Sequence, residues 1–182
     1  SINASGTINA SGADYAEYEN NGGLIISKGS IVGFKADGEL TLTFSEAIRF
    51  AVKSTSPAYV GGDVWGNDTA IGIKPIKPIR IGSESGADFA SRESEYAIAL
   101  PIFEAALEAA RQLVDRIAYA GKVPVNIQGA TAGDYVIAVA EVDGSIGGQA
   151  VPDPDFIQYK RAVGRVNKIL ADGRAEIAVI IH

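Results

Sequence analysis

The chain of 182 residues contains no Cys and no Met, and it has a single His and a single Trp. Without Cys it can form neither a disulfide nor a thiolate metal site. No apolar run approaches the roughly 20 residues that span a bilayer, and the N-terminus lacks the basic-then-apolar pattern of a secretion signal. The sequence therefore predicts no membrane partner. Because Met is absent, we expect Ser1 to follow the processing of a precursor or the removal of a tag.

The chain also lacks any run of basic residues. The net charge is −6 and the basic residues are scattered along the chain, so binding to nucleic acid phosphates or to anionic lipid has no electrostatic support. Apolar residues make up 47% of the chain, which also has 21 Gly and 7 Pro. This composition is typical of a folded, β-rich protein with many turns, and the length is that of one domain.

A six-residue unit opens the chain and is stated twice, as SINASG in residues 1–6 and TINASG in residues 7–12. A unit with one apolar residue cannot bury a core by itself. It must stack on copies of itself, on partner chains or on a body upstream. We therefore expect residues 1–12 to be the remnant of a fibrous stalk and residues 13–182 to be the folded domain.

Asp-Gly pairs at residues 37–38, 143–144 and 172–173 each lie between short apolar runs, which predicts antiparallel hairpins. Pro75 and Pro78 lack the donor that a central strand needs, so residues 74–78 are predicted to be an edge strand or an extended loop. The predicted fold is mainly β (β-rich α+β), with antiparallel hairpins around one long helix and a stalk remnant before them.

The long helix is predicted over residues 101–117, where apolar side chains recur at helical spacing and charged ones lie on the opposite face. Pro101 stands at its start, a position that Pro favours. The apolar stripe is rich in Ala, which allows close approach by a sheet or by a symmetry-related helix. Packing in the core is the expected role of this stripe.

Two carboxylates follow the repeat, Asp14 and Glu17. Three residues apart, they can point the same way if the segment turns or is helical, and close carboxylates tend to share one proton. Such a pair supplies the acid and the base that peptide-bond cleavage needs. Either Ser11 attacks the carbonyl of Ala10, shifting the acyl group to oxygen before water completes the cut, or a carboxylate activates water directly. The spacing does not choose between these routes.

Taken without further context, two acids in a polar segment are more typical of solvated charges or of the first turn of a helix than of catalysts. On the residue pattern alone, the structural interpretation of Asp14 and Glu17 is favoured over the catalytic one.

Five segments follow one another along most of the chain: SGADYAEY at 11–18, VKSTSPAYVG at 52–61, GKVPV at 121–125, GDYVI at 133–137 and VGRV at 163–166. Together they resemble the C-terminal intramolecular chaperone and autoproteolytic cleavage domain of bacteriophage tail-spike and neck-appendage proteins, peptidase family G2. The region 82–118, with its Ala-rich helix, departs from that pattern and is interpreted as an insertion.

The resemblance implies a homotrimer that forms at the end of a fibrous stalk of the same polypeptide and assists its assembly. It also implies release by self-cleavage next to the Ser-Gly-Ala-Asp motif, with Asp14, Glu17 and Ser11 as the catalytic residues and with no cofactor or metal. The expected location is the phage tail of the virion, after assembly in the bacterial cytoplasm. The scissile bond could lie before Ser1 or before Ser11, or this copy could be uncut.

The main alternative is a permanent structural or receptor-binding tip of a trimeric tail fibre that never cuts, with the Gly-rich loop around Trp65 as the first place to look for a ligand. A hydrolase acting on outside substrates lacks any recognisable nucleophile and base motif. His182 ends the chain and fits a frayed terminus better than a ligand. Loop acids without EF-hand spacing fit solvated charge better than a calcium site, and they are Asp63, Asp68, Asp153 and Asp155.

Overall fold

The computed structural model describes residues 13–61 and 71–180. These residues form two compact units, one of residues 13–61 and 114–180 and the other of residues 71–113. The predicted stalk remnant 1–12, the loop around Trp65 and His182 lie outside the described residues.

The first unit is built on a sheet of ten strands. They are β1 Asp14–Asn20, β2 Ile31–Phe34, β3 Leu40–Thr41, β4 Arg49–Lys53, β5 Tyr59–Gly61, β6 Val114–Val125, β7 Tyr135–Ala140, β8 Ile146–Val151, β9 Ala162–Ile169 and β10 Ala175–Val179. Their order in the sheet is β3-β2-β4-β6-β10-β9-β7-β8, with β1 paired to β6 and β5 paired to β1. Every pairing of these strands is antiparallel except that of β1 with β5.

The predicted hairpins are confirmed. The three Asp-Gly pairs join β2 to β3, β7 to β8 and β9 to β10, and in each turn the glycine has a positive φ, which these tight connections require. Two short helical turns complete this unit, a 3-10 helix at Phe44–Glu46 and α2 at Phe156–Tyr159.

Apolar side chains fill both faces of the sheet. Alternation along the strands sends neighbours to opposite sides, so Ile31 joins a large buried cluster with Val123, Val136 and Ile177, while Val32 joins a smaller one with Phe34. The central strands are therefore buried on both faces, which explains their nearly continuous apolar runs.

The two edge strands of the main sheet approach each other at one point. The N–H of Ile146 donates to Leu42 O at 2.9 Å and the N–H of Phe44 donates to Gly144 O at 3.0 Å. The sheet is thus curled, and the backbone beside β3 is paired with the hairpin that leads into β8. Pairing of this kind removes open edge that another chain could otherwise extend.

The second unit contains one long helix, α1, at Gly86–Arg111. Ser85 caps it, accepting a hydrogen bond on Oγ from the N–H of Asp88 at 3.1 Å. The predicted boundaries were wrong at both ends: Pro101 lies inside the helix, and residues 114–117 begin β6. The expected core packing was also wrong, because no side chain of residues 86–110 is buried.

The fold class is confirmed as mainly β, with antiparallel pairing and one long helix. Among the described helices none combines the length and apolar character that crossing a bilayer demands.

Candidate functional site

Asp14 begins β1 and is only 3% exposed, although it is a carboxylic acid directly after the polar opening segment. Its backbone is held from two sides. The N–H of Ala58 donates to Asp14 O at 2.7 Å, and the N–H of Lys122 donates to Ala13 O at 3.0 Å. The backbone of residues 13 and 14 is therefore fixed in position by two other parts of the chain.

Gly121 makes this close backbone contact possible. It lies opposite Asp14 in the pairing of β1 with β6 and has a φ of +99°. A Cβ at this position would stand 2.4 Å from Ala13 O and 2.8 Å from Asp14 Cα, both backbone atoms. Only glycine allows the two backbones to come this close in this conformation.

The Asp14 carboxyl lacks full compensation for its burial. Among the described residues, neither its Oδ2 nor the buried Oγ of Ser54 has a hydrogen-bond partner. Burial raises the pKa of Asp14 above its ordinary value of 3.8, while the nearby Ser54 hydroxyl and the Arg116 guanidinium oppose that rise. The Ser54 hydroxyl is near enough to lower this pKa, but it lies outside the geometry of a formed hydrogen bond.

A buried carboxyl with a raised pKa and a free oxygen can hold a proton at a pH where an exposed one has lost it. It can then donate that proton to a departing amine or take one from an attacking hydroxyl or water. Asp14 is thus suited to acid or base chemistry on the backbone beside it.

Ser54 and Arg116 are themselves fixed by a polar cluster at the start of β6. The N–H of Ser54 donates to Arg116 O at 2.8 Å. Next to them, the ammonium of Lys53 forms a largely buried ion pair with Asp115, whose other oxygen accepts from Asn21 Nδ2 at 3.1 Å. These contacts set the positions from which Ser54 and Arg116 act on the Asp14 carboxyl.

Glu17 lies on the other face of β1. Residues three apart on a strand point to opposite sides, and the Tyr15 hydroxyl, two residues before Glu17, donates to its Oε1. This hydrogen bond is the main reason that the pKa of Tyr15 is raised to about 12. The Tyr15 ring also stacks on Tyr59, with centroids 5.7 Å apart.

The segment is a strand and not the turn or helix that a shared proton would need. Within one chain the structure therefore does not bring the carboxyls of Asp14 and Glu17 together as a pair. Ser11 lies outside the described residues, and the catalytic roles of all three residues stay predictions.

The loop acids can be placed in part. Asp155 caps α2: its side chain accepts from the N–H of Gln158, whose own side chain accepts from the N–H of Asp155. In residues 13–61 and 71–180, no group of three or more His, Asp or Glu side chains could hold a metal ion. Asp63 and Asp68 fall in the part of the chain that is not described.

Sequence reasoning missed Ser54, Arg116 and Gly121 as neighbours of Asp14. The signal was present, since Ser54 and Gly121 belong to two of the segments that carry the family resemblance. The same segments supply Ala58 and Tyr59 to the surroundings of β1. Two other such segments also pair, because Tyr135 of β7 lies opposite Arg165 of β9.

Comparison with family models and with curated proteins finds no match. Among solved structures, the chain is similar to the crystal structure of the pre-mature bacteriophage phi29 gene product 12, with a TM-score of 0.51 and 17% sequence identity. The similarity covers 100% of this chain and 23% of that one, so the chain spans about a quarter of the length of that protein. At this identity the likeness shows a shared fold.

Proposed function

We propose that this chain is the C-terminal part of a bacteriophage tail spike or fibre, that it drives trimerisation of the stalk before it, and that it releases itself by cutting its own chain near residue 11. The observation that carries the proposal is the Asp14 carboxyl, which is buried, raised in pKa and has one oxygen unpartnered by the described residues.

The shared fold supports the assignment to a phage. The similar structure belongs to a bacteriophage protein in its pre-mature form, and it is about four times as long as this chain. A protein that cuts off one of its own domains also exists in an uncut form before that cut, and "pre-mature" fits such a form. The resemblance to the G2 cleavage domain rests on other features, the five sequence segments, and leads to the same class of protein.

The chemistry uses groups of one chain. In the first route, Ser11 Oγ attacks the carbonyl carbon of Ala10, the C–N bond breaks and the Ser11 nitrogen gains a proton, leaving an ester that water hydrolyses. In the second route, water attacks that carbonyl directly. In both, the Asp14 carboxyl gives its proton to the departing amine, and the resulting carboxylate takes the proton lost by the Ser11 hydroxyl or by the attacking water, so that the acid is regenerated.

Such a reaction gains from effective molarity, which is worth about 7–11 kcal/mol in well-oriented cases. The backbone bonds that hold residues 13 and 14 supply orientation at the entry to the domain. A substrate pocket is not required, because the scissile bond is already part of the chain.

The test uses a chain extended upstream of Ser1 and a denaturing gel. We expect two bands from the parent chain and one band from Asp14→Asn, with Glu17→Gln and Ser11→Ala tested beside it. Asp143→Asn is the matched control, because Asp143 is an exposed acid in the turn between β7 and β8. Cleavage that persists in Asp14→Asn would contradict the role of Asp14.

One band from every variant, parent included, would contradict self-cleavage and favour the permanent tip. The dependence on assembly is tested by dilution. If three chains must meet before the cut, the rate of band formation should fall as protein concentration falls; a rate that is independent of concentration contradicts that coupling.

A further inference from the structure

The segment before α1 has a three-residue period, with Ile-Lys-Pro at residues 73–75 and 76–78 followed by Ile-Arg-Ile at residues 79–81. In an extended chain with three residues per turn, every third side chain lies on the same side. The period produces three rows, one of Ile, one of Lys and Arg, and one of Pro. The rows differ in exposure: Pro75 and Pro78 are half-buried, while the residues between them are exposed.

The proline row packs toward α1. Arg92 on the helix donates to Ile79 O at 3.1 Å, and the N–H of Ile81 donates to Glu84 Oε2 at 3.2 Å, while Arg92 and Glu84 are paired to each other. Segment and helix together enclose a groove of about 590 Å³ that Tyr96 and Ala99 help to line. The segment is therefore fixed along its own helix. Ile76, Lys77 and Ile79 border this groove too, yet residues 73, 74, 76, 77, 79 and 80 all remain exposed.

The isoleucine row is almost fully exposed: Ile73 by 93%, Ile76 by 88% and Ile79 by 82%. Isolated exposed apolar residues are common, but an ordered row of three large ones marks an interaction surface. Beside it runs the cationic row of Lys74, Lys77 and Arg80, which form no ion pair with any residue in the described ranges.

Helix α1 has a second apolar stripe opposite its half-buried face. Ile98 and Ile102 are 67% and 66% exposed and lie one turn apart, and Ala105 and Ala109 continue the same stripe. On the flank of this stripe the exposed carboxylates Glu93, Glu104 and Glu108 form an acidic row. A helix that is apolar on two sides is expected to be covered on both.

We infer that residues 73–80 of one copy dock on the outward face of α1 of a second copy, with the isoleucine row against Ile98 and Ile102 and the cationic row against the acidic row. This contact rests on the proposed function, since it specifies how the chains of the trimer meet.

Charge and length both favour a second copy as the occupant. The segment of residues 73–80 presents an apolar row and a positively charged row, and α1 presents an apolar stripe and a negatively charged row. From Lys74 to Arg80 an extended chain spans about 19 Å, and from Glu93 to Glu108 a helix spans about 22 Å. Because each copy carries both surfaces, the contact is heterologous, and three such contacts can close a ring.

The test exploits the absence of Cys from the chain. Ile76→Cys and Ile98→Cys chains of 182 residues are prepared separately, mixed and mildly oxidised. We expect a disulfide-linked two-chain product mainly in this mixture. The matched control replaces Ile76→Cys by Ile25→Cys, because Ile25 is an equally exposed isoleucine, at 95%, in the other unit. Equal yields in both mixtures would overturn the contact.

Light scattering gives a second measurement. Lys77→Glu and Glu104→Lys should each lower the assembled mass, and the two changes in one chain should restore it. An unchanged mass in both single variants, or a parent chain that stays monomeric at every concentration, overturns the contact. Cross-linking of Ile76→Cys to Ile8→Cys in place of Ile98→Cys would also overturn it, by assigning the surface to the stalk.

Failure of this contact and failure of the proposed function are distinguishable. An extended chain that cuts itself while giving no Ile76 to Ile98 cross-link rejects the contact and leaves self-cleavage in place. A chain that forms the cross-link and never cuts rejects self-cleavage and leaves the contact.

Discussion

Gly121 lies directly opposite Asp14, and its missing side chain leaves room for the backbone of residues 13 and 14. The two residues are far apart in sequence, yet their contact fixes the backbone at the start of β1. The carboxyl of Asp14 is consequently buried next to Ser54 and Arg116. Its pKa therefore depends on this burial and on both of these neighbours.

Replacing Gly121 by Ala should destabilise the domain and displace the backbone of residues 13 and 14. A side chain at φ +99° is strained by about 1–3 kcal/mol, and the new Cβ would also collide with Ala13 O. Thermal unfolding gives the comparison. Gly38→Ala is the control, because Gly38 has a φ of +89° with nothing within 4 Å of the added Cβ. Equal losses in the two variants would show that the close approach adds nothing.

The pH dependence of stability should change in Asp14→Asn. Because burial raises the native pKa of Asp14 above 3.8, the folded state binds this proton more tightly than the unfolded state does. The stabilisation it provides is complete below the unfolded pKa and is lost as the pH rises through the native pKa. Relative to Asp14→Asn, the parent chain should therefore lose stability over that interval in urea unfolding.

Asp143→Asn serves as the control of opposite sign. Hydrogen bonds from Ser145 lower the pKa of Asp143, so its contribution is present above the unfolded pKa and is lost as the pH falls through the native one. A parent chain whose stability relative to Asp14→Asn does not vary with pH would contradict the raised pKa.

Breaking the Lys53–Asp115 ion pair should be costly. The side chains are 15% and 12% exposed, and Lys53 Nζ also donates to Ile26 O at 2.6 Å. Lys53→Met leaves the Asp115 carboxylate without its cation, which should lower the unfolding free energy by about 3 kcal/mol. Adding Asp115→Leu should recover part of that loss in a double-mutant cycle.

Lys35→Met is the matched comparison for that cycle. Lys35 pairs with Glu39 at 2.5 Å, but both side chains are about twice as exposed, at 33% and 30%. A much smaller loss is expected there, and similar losses for the two lysines would show that burial of the Lys53 pair is unimportant.

Tyr15 should ionise only at about pH 12, because its hydroxyl donates to Glu17 and loss of its proton would place two negative charges together. Difference absorbance of tyrosinate, compared between the parent chain and Tyr15→Phe, isolates this titration. Glu17→Gln should move it to lower pH. A Tyr15 whose pKa stays at the ordinary value of 10.0 would argue against the hydrogen bond.

The hairpins were predictable from sequence because an Asp-Gly turn and its flanking strands are local. The surroundings of Asp14 were not predictable in this way. The strand conformation of β1 is set by β6, about a hundred residues away, so the orientation of Asp14 and Glu17 could not be read from their spacing. The same long-range pairing explains the error at the end of the helix, where residues 114–117 continue an apolar spacing yet pair with β1 and β4.

The start of the helix was misplaced for a local reason. The sequence predicts Pro101 as a first-turn residue, whereas Ser85 supplies the cap sixteen positions earlier and the polar stretch after it is helical. The prediction that this helix packs in the core was wrong for another reason. An apolar stripe indicates that a helix packs against something, but it does not show whether the partner belongs to the same chain.

The pairing of β1 with β6 also sets an order of events during synthesis. The surroundings of Asp14 are incomplete until Gly121 and Lys122 have left the ribosome. At about 5–20 residues per second, translation separates these points by roughly 5–20 s. Throughout that interval the segment before residue 13 stays joined to an unfinished domain, so the proposed cut near residue 11 would have to proceed without this environment if it came before the two strands meet.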